Sequence, residues 1–324
     1  MLGEIGARKT AKGFVPAWWL ELECRAVSPN TRDMGVLRVP YEKLKKLARE
    51  SLGSEVVSEQ ILELVLTSLR FLQEECSATA LISRTPQKTF LAYARKLTPD
   101  QLSRPINAGL FRASPDVIAK QWHDWTSGLG LGRDAIQLLY TMVMAFCVAV
   151  DLFDRNNKKM SATYFEFFIG HIFSREIQAD PSKKTTFPLL GKSFRMTMDF
   201  LFDRGPGTVK IHLPVKMSTR ERVVQAWAHQ RLLDVFSPGQ YKGILVIFSE
   251  TKLNLRTKEV VEICVPDQWV IYQSLLAKMS RIYYFDVPGR YRTLAKTFPI
   301  IPLHQFDHFF AEKEKMLGEP LSQA

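Results

Sequence analysis

Cysteine is scarce in this sequence, and no two cysteines lie close together. The 324 residues include four, Cys24, Cys76, Cys147 and Cys264, without a C-x-x-C pair. Such spacing offers neither a disulfide framework nor a cysteine-based zinc site. The sequence is therefore typical of a protein of the reducing cytoplasm, and a cytoplasmic location is expected.

Long hydrophobic segments are also missing. The longest apolar run, residues 138–150, has 13 residues and includes Tyr140 and Thr141. A helix that crosses a bilayer needs roughly 18 to 20 apolar residues, so this run is predicted to be a buried core helix. The first 13 residues carry cations but neither an apolar stretch nor a cleavage-site pattern, and no secretory signal is expected.

Acidic residues are few relative to basic ones. The chain has 44 Lys and Arg against 33 Asp and Glu, which gives a formal net charge of +11 at pH 7. Hydrophobic residues make up 46% and charged residues 24%, as in ordinary globular proteins, so a disordered or fibrous chain is excluded. An excess of positive charge favours a polyanionic partner, most simply nucleic acid.

The sequence changes character near residue 155. Residues 1–155 are predicted to form a mostly helical N-terminal region, and residues 301–324 a C-terminal extension. Helical periodicity and capping signals in the N-terminal region predict helices over 41–50, 58–75, 86–96, from Ser114-Pro115 onward, and 134–151.

Residues 156–300 alternate between helical and strand patterns. The predicted order is helix 163–177, strand 194–202, strand 209–217, helix 219–236, strand 243–249, strand 259–265, helix 268–279 and strand 281–287. This order indicates an α/β fold with a mixed central sheet flanked by helices.

Two residues in neighbouring predicted strands can form a chemical site. Asp199 and Lys216 are 17 positions apart across a tight turn, so the strand ends that carry them can lie close together. Alternation places Asp199 on the face of Thr197 and Leu201, and Lys216 on the face opposite the apolar residues of its strand. A carboxylate can bind a hard cation such as Mg²⁺, and a lysine beside it can position or deprotonate an attacking water.

The pattern around these residues resembles a known nuclease superfamily. A helix with an inward Glu, then Asp199, then a strand that ends in lysine, then a helix is similar to the PD-(D/E)XK nucleases. The segment 216–222 reads K-x-[ST]-x-R-E-R and resembles the active-site lysine and following helix of several type II restriction endonucleases. The resemblance covers roughly residues 161–287, less than half of the chain.

The resemblance implies roles for individual residues. Asp199 is expected to bind Mg²⁺, Lys216 to serve the attacking water, and Glu166 to complete the metal shell. The chain departs from the pattern at Pro214, where the family usually has Asp or Glu. A second carboxylate must then come from elsewhere, and Glu166 and Glu221 are the candidates for both catalysis and metal binding.

The acidic candidates before the lysine also have plain structural interpretations. Glu166 can close a capping box with Thr163 at the start of its helix. Gly170, one turn later, leaves room for a close approach at that helix face. Asp203 is interpreted as the acid of the turn after the first strand, with a spare role beside Asp199.

Three residues after the lysine are candidate DNA phosphate contacts. Ser218, Arg220 and Arg222 lie at the predicted start of a helix, which is a natural anion site. The alternative for the two arginines is a solvated helix face. Glu221 can also form a capping box with Ser218 instead of binding metal.

The resemblance implies a Mg²⁺-dependent, sequence-specific endonuclease of double-stranded DNA that leaves 5′-phosphate ends. Type II enzymes commonly act as homodimers on palindromic sites, so a homodimer and a cognate DNA methyltransferase are expected. The helical N-terminal region is then assigned to DNA recognition or dimerisation. Two alternatives stay open: a DNA-binding protein that lost activity with the acid at position 214, and a repair or structure-specific nuclease.

Overall fold

The computed structural model describes residues 34–219 and 223–318. Its helices are α1 (Gly35–Glu50), α2 (Glu55–Glu75), α3 (Pro115–Thr126), α4 (Ala135–Phe153), α5 (Lys158–Ile177), α6 (Val224–Phe236), α7 (Pro266–Ile271), α8 (Gly289–Thr297) and α9 (His308–Gly318), with a π-helical turn over Tyr272–Leu276. Its strands are β1 (Cys76–Ser83), β2 (Phe90–Arg95), β3 (Ile106–Asn107), β4 (Pro181–Leu189), β5 (Lys192–Phe202), β6 (Lys210–Leu213), β7 (Val215–Lys216), β8 (Tyr241–Ile247), β9 (Thr251–Asn254), β10 (Glu259–Glu262), β11 (Met279–Tyr284) and β12 (Leu303–Gln305).

Two mixed sheets organise these elements. The larger has the order β12-β11-β8-β6-β5-β4, and β7 continues the line of β6 along β8. Its strands β6, β7, β8, β11 and β12 are parallel to their neighbours on that side, whereas β4 and β5 are antiparallel. The smaller sheet has the order β3-β2-β1-β10-β9. The carboxyl ends of several parallel strands therefore meet at one edge of the larger sheet.

Helices cover both faces of the larger sheet. Ile211, Leu213 and Val215 belong to the main apolar core together with residues of α1 to α5. On the opposite face, Leu245 and Ile247 pack into a second core with residues of α6, α7 and α8. The predicted α/β class, a mixed sheet flanked by helices, is confirmed.

Helix α4 lies inside the main core. Its length and apolar composition alone would allow it to cross a membrane, but every residue of 138–150 is buried in the protein. The prediction of a buried core helix for this run is confirmed.

The N-terminal region is less helical than predicted. The predicted helix 86–96 is wrong, because this segment contains strand β2, in which Phe90, Ala92 and Ala94 are buried and their neighbours are partly exposed. That two-residue alternation is strand periodicity. Strand β1 also pairs with β10, so that Ile82 lies opposite Glu259. The small sheet thus joins segments from both sides of residue 155, and the domain boundaries at residues 155 and 300 stay predictions.

Gly170 allows α5 to approach strand β5 closely. A Cβ atom at this position would lie 2.6 Å from Leu52 Cδ2 and 2.7 Å from Phe200 Cζ. Phe200 directly follows Asp199 in the chain. The expected close approach at this face is confirmed, and it sets the distance between α5 and the strand that carries the candidate aspartate.

Gly170→Ala is expected to destabilise the fold by about 1–3 kcal/mol, since overpacking outweighs the roughly 1 kcal/mol that alanine gains over glycine in a helix. Urea unfolding measures the change. Gly132→Ala is the control, because a Cβ there meets nothing within 4 Å. An unchanged or raised unfolding free energy for Gly170→Ala would show that the core yields easily at this contact.

Candidate active site

Lys216 lies at the carboxyl end of an interrupted strand. Strands β6 and β7 run along β8 in one register, with His212 opposite Gly243 and Lys216 opposite Ile247. Pro214 separates the two strands without shifting that register. The predicted strand 209–217 is therefore correct in extent but broken at the proline, which has no N–H to donate.

Asp199 lies in a bulge of β5. Ser182 pairs with Leu201 and Lys184 with Thr197, so residues 198–200 face the single residue Lys183 across the strand pair. The simple alternation predicted for Asp199 is therefore wrong: Met198 and Leu201 are three positions apart yet share one apolar cluster. Bulges are common beside active sites because they redirect a side chain.

The bulge brings Asp199 to the end of the lysine strand. Strand β5 pairs with β6 as far as Phe200 and Leu213. Beyond that pair, the backbone N–H of Val215 donates to Asp199 Oδ2 at 2.9 Å. Lys216 Nζ donates to the same oxygen, also at 2.9 Å, and about a fifth of each side chain is exposed. The two residues singled out in the sequence therefore form an ion pair in a partly open site.

Glu166 belongs to this site and does not cap its helix. Helix α5 begins at Lys158, and Asn157 is the N-cap, whose side chain accepts from the N–H of Met160 at 3.2 Å. The capping-box interpretation of Glu166 is therefore wrong. Burial raises the pKa of Glu166, the charge of Asp199 raises it further, and Lys183 and Lys216 lower it. Two carboxylates thus lie near enough to repel each other beside Lys216.

Two further residues of this site escaped the sequence analysis. Lys183 of β4 places its Nζ 3.8 Å from Glu166 Oε2 and 4.5 Å from the ring centre of Phe200. His229 of α6 is half-buried, and burial lowers its pKa while Asp199 raises it and Lys216 lowers it. Lys183 could have been found only by predicting strand β4, which the sequence analysis did not do. The only signal for His229 was a histidine in the helix that follows Lys216.

His212, on the same strand as Lys216, has a structural role. It is fully buried, and its Nδ1 lies 3.0 Å from Gln230 Oε1, so Nδ1 carries the proton. Burial lowers its pKa to about 4, which keeps the ring neutral near pH 7.

Asp203 is the turn acid that the sequence predicted. Its Oδ2 pairs with Lys210 Nζ at 2.7 Å and its Oδ1 accepts from the N–H of Gly205 at 3.0 Å. The hydrogen bond from Lys210 lowers the pKa of Asp203. It forms a second Asp–Lys pair, four positions after Asp199, and has no contact with the first.

The segment after Lys216 is anchored to buried groups. Glu250 Oε1 accepts from the N–H of Thr219 at 2.8 Å and from the hydroxyl of Tyr284 at 2.8 Å. Ser218, a predicted phosphate contact, precedes this anchor at the strand end. Glu221, Arg220 and Arg222 lie outside the described residues, so their predicted metal and phosphate contacts stay predictions.

The donor chemistry suits a divalent cation such as Mg²⁺. Within residues 34–219 and 223–318, no group of three or more His, Cys, Asp and Glu side chains is arranged to hold a metal. Asp199 and Glu166 nevertheless offer two neighbouring carboxylates, whose mutual repulsion a cation would relieve. Mg²⁺ is commonly bound through one or two carboxylates, with water and substrate phosphates as its other ligands.

The sequence matches no protein-family model and no curated protein. The structure is similar to the crystal structure of the type IIP restriction endonuclease Kpn2I, with a TM-score of 0.74 and 23% identity over 88% of this chain and 98% of that chain. The chain has the fold of a type II restriction endonuclease. A complex of the restriction endonuclease PspGI with substrate DNA is a weaker match, with a TM-score of 0.40 and 12% identity over 87% of this chain and 92% of that chain.

The first of these similarities covers 88% of this chain. It therefore includes most of the N-terminal region, for which the sequence showed no resemblance. The restriction-endonuclease fold predicted from the motif is confirmed. Asp199 and Lys216 lie within this fold.

Proposed function

We propose that this protein is a Mg²⁺-dependent, sequence-specific endonuclease of double-stranded DNA, a type II restriction enzyme. The ion pair of Asp199 and Lys216 at the strand ends of a restriction-endonuclease fold carries this proposal. The net charge of +11 supports a polyanionic substrate. The resemblance of residues 161–287 to type II enzymes supports a homodimer that works beside a cognate methyltransferase. The scattered cysteines support a cytoplasmic location.

The chain's own groups suit hydrolysis of a phosphodiester. A divalent cation at Asp199 and Glu166 would neutralise phosphate charge and make water a better nucleophile. Lys216 Nζ, held by Asp199, can orient the attacking water and stabilise negative charge on the phosphoryl oxygens. The water gives up a proton as its oxygen bonds to phosphorus and the bond from phosphorus to the 3′ oxygen breaks. The 3′ oxygen takes up a proton, which leaves 5′-phosphate and 3′-hydroxyl ends.

One observation favours a second candidate, a DNA-binding protein without cleavage activity. Pro214 replaces the usual acid, and the described residues bring only Glu166 near Asp199 as a further carboxylate. This candidate binds DNA through the same surface but lacks a complete metal shell.

Cleavage of unmethylated plasmid and phage DNAs, with Mg²⁺ and with EDTA, tests the two candidates. We expect discrete fragments in Mg²⁺ alone, with 5′-phosphate ends that define one recognition site. Specific binding without cleavage in Mg²⁺ or Mn²⁺ would favour the second candidate. Digestion without discrete fragments would instead indicate a nuclease that does not read sequence.

A further inference from the structure

A cavity lies near the edge of the larger sheet that carries the candidate active site. It has a volume of about 1120 Å³ and lies between the turn that joins β1 to β2, the end of β11, and α8. Its lining includes the exposed cations Arg290, Arg292 and Lys296, and Arg84, which pairs with Glu259. The carboxylates of Glu262 and Asp267 line it as well. Arg290, Arg292 and Lys296 can meet an anionic group at this cavity.

A buried carboxylate lies in the wall of this cavity. Asp286 is only 3% exposed. Its Oδ1 pairs with Lys88 Nζ at 2.6 Å and accepts from Asn107 Nδ2 at 3.1 Å. Its Oδ2 is buried and has no hydrogen-bond partner among residues 34–219 and 223–318. A buried acceptor without a partner is unusual in proteins, and a group bound in this cavity would explain it.

Lys88 fixes this carboxylate in place. Its Nζ also pairs with Glu262 Oε1 at 2.6 Å and donates to the carbonyl oxygen of Val287 at 2.8 Å. Three acceptors thus use the three donors of the ammonium group. Lys88 holds Asp286 by Oδ1 and has no donor left for Oδ2. Burial raises the pKa of Asp286, and the charge of Lys88 lowers it.

The cavity opens at the same edge of the sheet as Lys216. Lys216 and Tyr284 both lie opposite Ile247, on the two sides of β8. Asp286 follows Tyr284 by two residues, and its N–H donates to the carbonyl oxygen of Phe248. Two strand spacings across the sheet, roughly 10 Å, and two residues along the strand direction, roughly 7 Å, separate the backbones of the two residues. The resulting distance of about 12 Å corresponds to three to four base-pair rises of DNA.

We infer that Asp286 reads one base of the DNA by accepting a hydrogen bond on Oδ2 from the exocyclic amino group of a cytosine or adenine. Arg290, Arg292 and Lys296 of the cavity lining bind phosphates of the same strand. This inference rests on the proposed function, because it assigns a sequence-reading residue to the same DNA. Guanine and thymine present an acceptor oxygen at that position of the major groove and would face the carboxylate unfavourably.

Selection of duplexes from a randomised DNA library tests this inference. Wild type, Asp286→Asn and the exposed control Asp116→Asn bind the library in EDTA, and the retained sequences are compared. We expect the wild type and the control to demand cytosine or adenine at one position. Asp286→Asn is expected to lose that preference by about 10- to 100-fold at that position alone, the usual discrimination of a good base contact.

Removal of the amino group from the DNA provides a second measurement that needs no variant. The selected base is replaced by 2-pyrimidinone for cytosine or purine for adenine. The replacement is expected to weaken binding by wild type by about the same factor and to leave binding by Asp286→Asn unchanged, because the partner is already gone. If Asp286→Asn does not fold by circular dichroism, unchanged binding of wild type to the amino-free duplex still overturns the inference.

The outcomes separate this inference from the proposed function. Three results would overturn the role of Asp286. They are an unchanged sequence preference of Asp286→Asn, an equal loss of affinity for the amino-free duplex in both proteins, and a wild type that selects neither cytosine nor adenine at any position. Cleavage of the selected duplex in Mg²⁺ is measured separately. If Asp286 selects a base but the protein does not cleave the duplex, the proposed nuclease activity is contradicted and the inference is supported. If the protein cleaves and Asp286→Asn selects the same sequence as wild type, the nuclease activity is supported and the inference is contradicted.

Discussion

Asp199→Asn and Lys216→Met are each expected to lower DNA cleavage by about 10³-fold, the range for a positioned group that acts in proton transfer or charge stabilisation. The double variant is expected to cleave no more slowly than either single one, because two groups that act as a unit are not additive. Single-turnover cleavage of the selected DNA measures the rates. Affinity for DNA in EDTA separates binding from chemistry.

The chain supplies a matched control for this experiment. Asp203 and Lys210 form an equivalent ion pair, at 2.7 Å, in the turn that follows Asp199. Asp203→Asn and Lys210→Met remove the same charges from the same region and are expected to change cleavage less than twofold. Equal losses in both pairs would mean that local charge, and not a site at Asp199 and Lys216, supports activity.

Stability gives a further criterion for the same pair. Removal of one partner leaves a partly buried charge, whereas removal of both leaves none. We therefore expect the double variant to unfold at a higher urea concentration than the less stable single variant. If cleavage instead follows stability across all three variants, the pair is structural and the proposed active site is wrong.

Sequence reasoning found the central pair because strand geometry is local. Lys216 had to lie at the end of an alternating strand, and a tight turn had to bring Asp199 back to it. The resemblance at residues 216–222 then named the fold, which the structure confirms. These arguments used short-range spacing and a motif. Both can be read from the sequence without knowledge of tertiary contacts.

The rest of the site depends on tertiary contacts that spacing does not encode. The bulge at Asp199 is visible only from its pairing with β4, and that strand, with Lys183, was not predicted. His229 reaches the site only through the packing of α6. The capping box at Thr163 failed because Asn157 starts helix α5 earlier. Local sequence signals identify residues that can cap a helix. They do not tell which of these residues is the N-cap in the folded protein, because tertiary packing decides where the helix begins.

Glu166→Gln is expected to abolish cleavage and at the same time to stabilise the protein at neutral pH. Burial and the neighbouring Asp199 raise the pKa of Glu166 in the folded state. Between its unfolded and folded pKa the folded protein binds the extra proton, so the folded wild type loses stability as the pH rises through that interval. Glutamine removes that penalty, and a Tm rise of about 1–3 °C is expected.

The pH dependence fixes the sign of this effect. Below the unfolded pKa, Glu166 is protonated in both states, and the variant and the wild type should have the same Tm. Above the folded pKa, the difference should be largest and constant. Cleavage by the wild type should rise over the same interval, because a carboxylate and not a carboxylic acid binds Mg²⁺. Thermal melts and cleavage rates across pH measure the two curves.

Mg²⁺ provides a readout that does not depend on cleavage. A cation that binds only the folded state raises Tm, and the rise grows with the logarithm of the cation concentration above its Kd, so Mg²⁺ should stabilise the wild type and have little effect on Glu166→Gln. Glu59→Gln, at an exposed position of α2, should leave both Tm and its Mg²⁺ response unchanged. A Glu166→Gln protein that is less stable at neutral pH, or that keeps its response to Mg²⁺, would remove Glu166 from the metal site. The second carboxylate would then have to come from outside the described residues, where Glu221 lies.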